Sequence, residues 1–257
     1  MKVLIALLMI PFLFAAVKAE IVTKTIVYDD RGTALEGYMA YDNSISGKRP
    51  GVLVIHEWTG INDYIKSRVE QLAGMGYVAF AADIYGKGIR PKNADEAAQQ
   101  AGIYRKDRPL MRRRVTAGLD ELKKNVMVDT SRIAAIGYCF GGGTVLELAR
   151  SGAKLNGVVS FHGNLDTPDP NDARNIKCKV LVMQGADDPY TKDQVPAFEQ
   201  EMRDAKVDWE LNMYGGAVHS FTNPSAGNDP SKGAAYNAEA DHRSWEAMKQ
   251  FFAEIFK

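Results

Sequence analysis

Ile133-Ala134-Ala135-Ile136-Gly137-Tyr138-Cys139-Phe140-Gly141-Gly142-Gly143 is the stretch whose reading decides the fold. A short apolar run, of the kind buried on both faces of a parallel sheet, ends at a cysteine with glycine two positions before and two after. Between a strand and a helix this is the nucleophile-elbow pattern, with cysteine in the place serine usually takes. The turn is so tight that side chains at the flanking positions would clash, which is why glycine stands there. The following helix directs its first N–H groups and positive dipole end at the sulfur, a setting that suits a nucleophile.

Outward from this point, strand-like and helix-like segments alternate. Residues 20–28 and 34–41 read as two strands joined by a hairpin turn at Asp30-Arg31-Gly32. Apolar runs at 51–55, 77–84, 133–138, 157–161 and 180–184, and a last strand at 208–214, predict a sheet. Ile65, Val69 and Leu72 sit at helical spacing, and so do Met111, Val115, Leu119, Leu122 and Val126. Further helices are expected over 192–205 and around Trp245, Met248, Phe252 and Ile255. Arg112-Arg113-Arg114, beside the second stripe, reads as a solvated helix face. No repeat, low-complexity tract or linker divides the chain. The pattern predicts one α/β domain: a mostly parallel sheet, opened by an N-terminal antiparallel hairpin and covered by helices on both faces.

Composition narrows the function. The 257 residues carry 32 Lys+Arg against 32 Asp+Glu, so nothing gives the chain an electrostatic hold on nucleic acid. The four histidines, His56, His162, His219 and His242, show no metal-ligand spacing, and two cysteines exclude a disulfide framework or a Cys-rich zinc module. A small-molecule partner is expected, with no metal or organic cofactor. At the N-terminus, Lys2, an apolar run from 3 to 17 and Val17-Lys18-Ala19 read as a signal peptide over residues 1–19, followed by a domain over 20–257. The run is too short for a comfortable membrane span. Its removal would take two of the 32 basic residues and none of the 32 acidic ones, a net of −2. Export, to a periplasm or beyond, is the expectation, with no membrane attachment after cleavage. Cys139 ends one expected strand and Cys178 begins another, so the two thiols should lie at opposite sheet edges, too far apart to pair.

A thiol needs partners. The hydrolase order is nucleophile, acid, histidine. Asp187 and Asp188 follow the strand ending near Gln184, and His219 follows the strand ending at Tyr214. Cys139, an aspartate and His219 therefore come in that order, each just past a strand end, where open α/β sheets place their chemistry. Either aspartate could be the acid.

At this point the chain resembles the dienelactone hydrolase family of α/β-hydrolases over essentially its whole mature length. The resemblance is carried by Gly137-Tyr138-Cys139-Phe140-Gly141-Gly142, His56-Glu57-Trp58-Thr59-Gly60-Ile61-Asn62, Ala82-Asp83-Ile84-Tyr85-Gly86, Gly185-Ala186-Asp187-Asp188 and His219-Ser220-Phe221. It implies an ester or lactone hydrolase of the α/β-hydrolase fold with a Cys139-Asp188-His219 triad, Asp188 being preferred to Asp187. It also implies that Glu57 contacts the resting cysteine and accepts its proton. The oxyanion hole would come from the N–H groups of Phe140 and Trp58. Tyr85, Lys87 and Asn223 fall at the family's substrate-contact positions. There the chain departs from members that cleave dienelactone, which hold a substrate carboxylate with two basic residues. Lys87 and Asn223 cannot make bidentate arginine contacts. The resemblance thus implies the reaction class more firmly than the substrate. The opposing expectation is a non-hydrolytic binding or thiol redox-sensing protein on the same scaffold.

Overall fold

The computed structural model describes residues 20–257; the expected signal peptide lies outside the described residues. Eight strands form one sheet: β1 (Ile21–Asp30), β2 (Thr33–Asp42), β3 (Arg49–Ile55), β4 (Val78–Ala82), β5 (Val128–Tyr138), β6 (Gly157–Phe161), β7 (Lys179–Gly185) and β8 (Trp209–Tyr214). Their order is β1-β2-β4-β3-β5-β6-β7-β8. β2 pairs antiparallel with both β1 and β4, and every other pair is parallel. Arg31 and Gly32 make the β1–β2 turn with φ of 53° and 87°, and the Gly32 N–H donates to Asp29.

Helices cover both faces. α1 (Asp63–Gly74) and α6 (Ala238–Ile255) lie on one; α2 (Ala94–Lys106), α3 (Arg108–Lys124), α4 (Phe140–Arg150) and α5 (Val195–Ala205) lie on the other. The pleat of β5 decides which residue meets which layer. Ile133 and Ala135 face the α3–α4 layer with Val145 and Leu148, whereas Ala134, Ile136 and Tyr138 face the α1–α6 layer with Val69 and Phe252. Because both faces are buried, the inner parallel strands β3, β4, β6 and β7 are almost continuously apolar, which makes them legible in the sequence, whereas the edge strand β8 is half-exposed and mixed. None of the helices among the described residues is long and apolar enough to cross a membrane.

Two expectations need correction, and one element has no counterpart in the sequence reading. The arginine run is not a solvated face. Arg114 is buried and donates to Asp30 at 2.8 Å, Arg113 pairs with the same carboxylate at 3.0 Å, and Arg112 pairs with Glu147 and Asp172 at 2.7 Å each. Two basic residues converge on Asp30 because a buried carboxylate needs charged donors. Val126 does not continue the α3 stripe: the helix ends at Lys124, and Val126 is 84% exposed. Finally, residues 94–106 form α2, a helix that carries no apolar stripe longer than Ala97, Ala101 and Tyr104. Cys139 and Cys178 are both unpaired, at opposite ends of their strands, as the strand geometry requires.

Candidate active site

The carboxyl ends of β3, β5, β7 and β8 bring their loops together around Cys139. Its φ of 53° and ψ of −115° put a non-glycine residue in a rarely populated region, the strain expected of a nucleophile elbow. The flanking glycines are required by backbone, not by side chains. A Cβ at Gly137 would stand 2.0 Å from the Gly141 carbonyl oxygen, and one at Gly141 would stand 2.3 Å from that of Ile55.

Three side chains line up across the loops. Asp188 Oδ2 accepts from His219 Nδ1 at 2.8 Å, and His219 Nε2 lies 3.1 Å from Cys139 Sγ. Asp188 is fully buried; its second oxygen accepts the Tyr190 N–H at 2.8 Å. Burial works against the Asp188 charge, but the hydrogen bond and charge of His219 outweigh it and hold the carboxyl below its usual range. Burial likewise opposes a charged His219, yet the Cys139 sulfur and the Asp188 carboxylate push its pKa up to about 10. Asp187 plays a different part, since its Oδ2 accepts the Gly216 N–H at 2.9 Å and braces the loop.

Glu57, 4% exposed, is not hydrogen-bonded to the thiol. Its Oε2 accepts from Asn223 Nδ2 at 2.7 Å, while Asn223 Oδ1 accepts the Ser225 N–H at 2.9 Å. Burial raises the Glu57 pKa despite the Asn223 bond and the nearby His219. Asn223 therefore lines the site with its amide already committed at both ends. Among the described residues, neither the Phe140 nor the Trp58 N–H donates to a protein acceptor, so both remain available at the elbow and on the loop after β3.

A cavity of about 540 Å³ opens on this line, bordered by Glu57, Trp58, Cys139, His219, Asn223 and, from the far side, Arg105. Tyr85 and Lys87 are outside that border. The Tyr85 hydroxyl donates to the Trp58 carbonyl at 2.9 Å, so it supports the loop from behind. Lys87 is half exposed and faces Glu36 at 3.8 Å. Neither residue therefore faces the cavity that opens on Cys139. Asp83 explains their motif otherwise: its Oδ1 accepts the N–H groups of Tyr85 and Gly86, at 3.1 Å each, and builds the turn.

Sequence reasoning missed three participants. His56 is fully buried and neutral in setting: burial lowers its pKa. Its Nε2 accepts the Ile84 N–H at 3.3 Å, so Nδ1 carries the proton and donates to the Glu57 carbonyl at 2.6 Å. His162 lies directly beneath the elbow. Arg105, from α2, is the sole Arg or Lys on the cavity border among the described residues; its Nη2 donates to Asn164 Oδ1 at 2.8 Å. No sequence signal marks Arg105, because it stands on a helix without a motif. No three His, Cys, Asp or Glu side chains among the described residues form a group that could hold a metal ion.

Comparison with known proteins gives a consistent result. The family model described as "Dienelactone hydrolase family" matches residues 35–256. A Saccharolobus solfataricus protein named as a carboxymethylenebutenolidase is 27% identical, covering 91% of this chain and 99% of its own. The solved structure of m3DLH superposes with a TM-score of 0.89 at 41% identity, covering 92% of this chain and 99% of that one. A dienelactone hydrolase-like promiscuous phosphotriesterase from metagenomic libraries superposes at 0.87 with 43% identity, covering 93% and 100%.

Proposed function

We propose that this chain, which belongs to the dienelactone hydrolase family, is a hydrolase that cleaves an ester or lactone bond of a small molecule through a thiol nucleophile at Cys139. The observation that carries the reading is the unbroken line from Asp188 Oδ2 through His219 to Cys139 Sγ, at 2.8 and 3.1 Å. A binding protein has no use for a strained cysteine aligned with a buried carboxylate–imidazole pair.

In this mechanism Cys139 Sγ bonds to the carbonyl carbon, and the oxyanion rests on the Phe140 and Trp58 N–H groups. As the C–O bond breaks, His219 Nε2 passes its proton to the departing oxygen. Water then attacks the thioester, His219 takes the proton of that water, and the sulfur leaves. Asp188 orients the ring and stabilises its charged form throughout. Glu57 makes no hydrogen bond to the thiol in this geometry, whereas His219 Nε2 lies 3.1 Å from Sγ, so His219 is the proton holder at rest. A second substrate class is phosphotriesters, favoured by the 43%-identical phosphotriesterase relative. Residues 1–19 fit a leader that exports the enzyme and is cut after Ala19; N-terminal sequencing of the mature protein tests this.

The deciding experiment is a panel of neutral esters, lactones and phosphotriesters with wild type and Cys139→Ala, with mass spectrometry of quenched reactions. Turnover lost in the variant and an acyl adduct on Cys139 are expected. Unchanged turnover in Cys139→Ala would remove the thiol mechanism. A wild type that is readily alkylated at Cys139 yet hydrolyses nothing would favour thiol redox chemistry.

A further inference from the structure

We propose that His162 is a positioning residue that locks the nucleophile elbow to the loop carrying His219, and so fixes the Cys139–His219 register; this rests on the hydrolase reading above. His162 follows β6 directly and is fully buried. Its φ of 40° is a left-handed conformation that non-glycine residues adopt rarely. The turn carries the ring beneath the elbow, where Nδ1 accepts the Cys139 N–H at 3.2 Å, a bond shared with the Phe161 carbonyl at 3.0 Å.

An imidazole nitrogen that accepts an N–H carries no proton, so the proton sits on Nε2. Nε2 therefore donates to Thr222 Oγ1, 2.7 Å away and three residues beyond His219. Thr222 is held in turn: Tyr64 lies 2.6 Å from its hydroxyl, and Arg68 Nη2 donates to its carbonyl at 2.8 Å. One neutral ring thus joins the two segments whose spacing sets the 3.1 Å sulfur–imidazole contact. It also packs edge-on against the His219 and Phe221 rings, at 5.3 and 5.1 Å between centroids. Burial and the neighbouring His219 both keep His162 from protonating, which preserves the acceptor under Cys139. A protonated ring would set a donor against a donor.

The test uses His162→Phe, which keeps a ring and removes both nitrogens, Thr222→Val, which removes the far anchor only, and His162→Asn, whose Oδ1 can stand near the place of Nδ1 and which tolerates left-handed backbone. Two rates are read beside the thermal midpoint: kcat and KM on a neutral p-nitrophenyl ester, and alkylation of Cys139 by iodoacetamide at pH 7. In His162→Phe and Thr222→Val, kcat should fall by about tenfold or more with KM within about twofold, as for an interaction that acts on the reacting groups and not on binding. Alkylation should slow in parallel, and His162→Asn should recover part of both rates. Folded variants that alkylate and turn over at wild-type rates would overturn the proposal. Should His162→Phe fail to fold, Thr222→Val carries the same comparison. If wild type hydrolyses no ester, the hydrolase reading fails, while the alkylation rates still decide the role of His162.

Discussion

Asp188 commits both carboxylate oxygens inside the site, one to His219 and one to the Tyr190 N–H, whereas Asp187 turns outward to Gly216. Asp188→Asn should therefore cost far more rate than Asp187→Asn; losses of roughly 10⁴-fold accompany removal of that carboxylate in a comparable triad. Steady-state kinetics on one neutral ester check the pair, and equal losses would mean that the acid is shared. Arg105 makes a second residue-scale prediction. It is the cavity's bordering cation, while Lys87 faces Glu36 outside it. Losing a charge-assisted hydrogen bond removes about 1.5–3 kcal/mol, or roughly ten- to a hundredfold in kcat/KM. Arg105→Gln should lower kcat/KM by that factor for a carboxylate-bearing ester and leave its neutral methyl ester nearly unchanged; Lys87→Gln should change neither. Glu57 gives a pH effect with a definite sign. Its folded pKa is raised by burial, so the folded state binds the proton more tightly than the unfolded one. Its stabilising contribution is present at low pH and lost as pH rises through the raised value. Glu57→Gln, which keeps an acceptor for Asn223, should gain thermal stability over wild type as pH rises from the ordinary carboxylate range toward neutrality. A constant difference across that range would show that the carboxyl ionises as it does in water.

At the scale of elements, the β5–elbow–α4 unit depends on backbone contact with β3. A methyl group at Gly141 would meet the Ile55 carbonyl at 2.3 Å and that of His56 at 2.7 Å, neither of which can rotate away. Gly141→Ala should cost on the order of 1–3 kcal/mol or more and displace the nucleophile, reducing both stability and activity. Gly102→Ala in α2 is the matched control. Nothing lies within 4 Å of its Cβ, so it should stabilise by about 0.4–1 kcal/mol in urea unfolding. The same contrast explains what the sequence could disclose. The β5 apolar run, the glycine pair and the order Cys139, Asp188, His219 are local signals, each a short pattern at a strand end, and all of them are where the sequence places them. The Arg112–Arg114 run misleads because its partners are distant: Arg114 reaches Asp30 across 84 positions. Val128 to Arg132 is not legible as strand because Asp129 and Ser131 look like a turn, and there the register with β3 does shift. The aim of Glu57 at Asn223, 166 positions away, is likewise a product of the closed fold.

Behind the elbow, the helix layer on one face of the sheet is tied through one charge group centred on a buried arginine. Arg150, at the end of α4, has no exposed surface; it donates to Glu201 of α5 at 2.8 Å through both Nε and Nη2, to Glu147 at 3.0 Å and to the Leu165 carbonyl at 2.9 Å. Glu147 passes the link to Arg112 of α3, and Arg112 passes it to Asp172. Three helices and the loop after β6 are thus joined by charges of which Arg150, Glu147 and Glu201 are buried, while Arg112 and Asp172 keep partial contact with solvent. Such an arrangement is worth little against a well-packed apolar core, because desolvation offsets the attraction. Its disruption from one side is another matter. Arg150→Met would leave Glu201 buried without the arginine that pairs with it and Glu147 with one partner fewer, which typically costs about 3–5 kcal/mol. Against a total of roughly 5–15 kcal/mol for a folded domain, that is a large fraction. Urea unfolding should show a marked fall in midpoint for Arg150→Met, and Arg150→Met with Glu201→Leu should recover part of it by removing the stranded charge. The active site should report the same order: activity per folded molecule near wild type in both, since α4 is held at its other end by the elbow. A double variant less stable than the single one would show that the carboxylates find other partners, and that packing by the long arginine side chain, not charge, sets the stability of this layer.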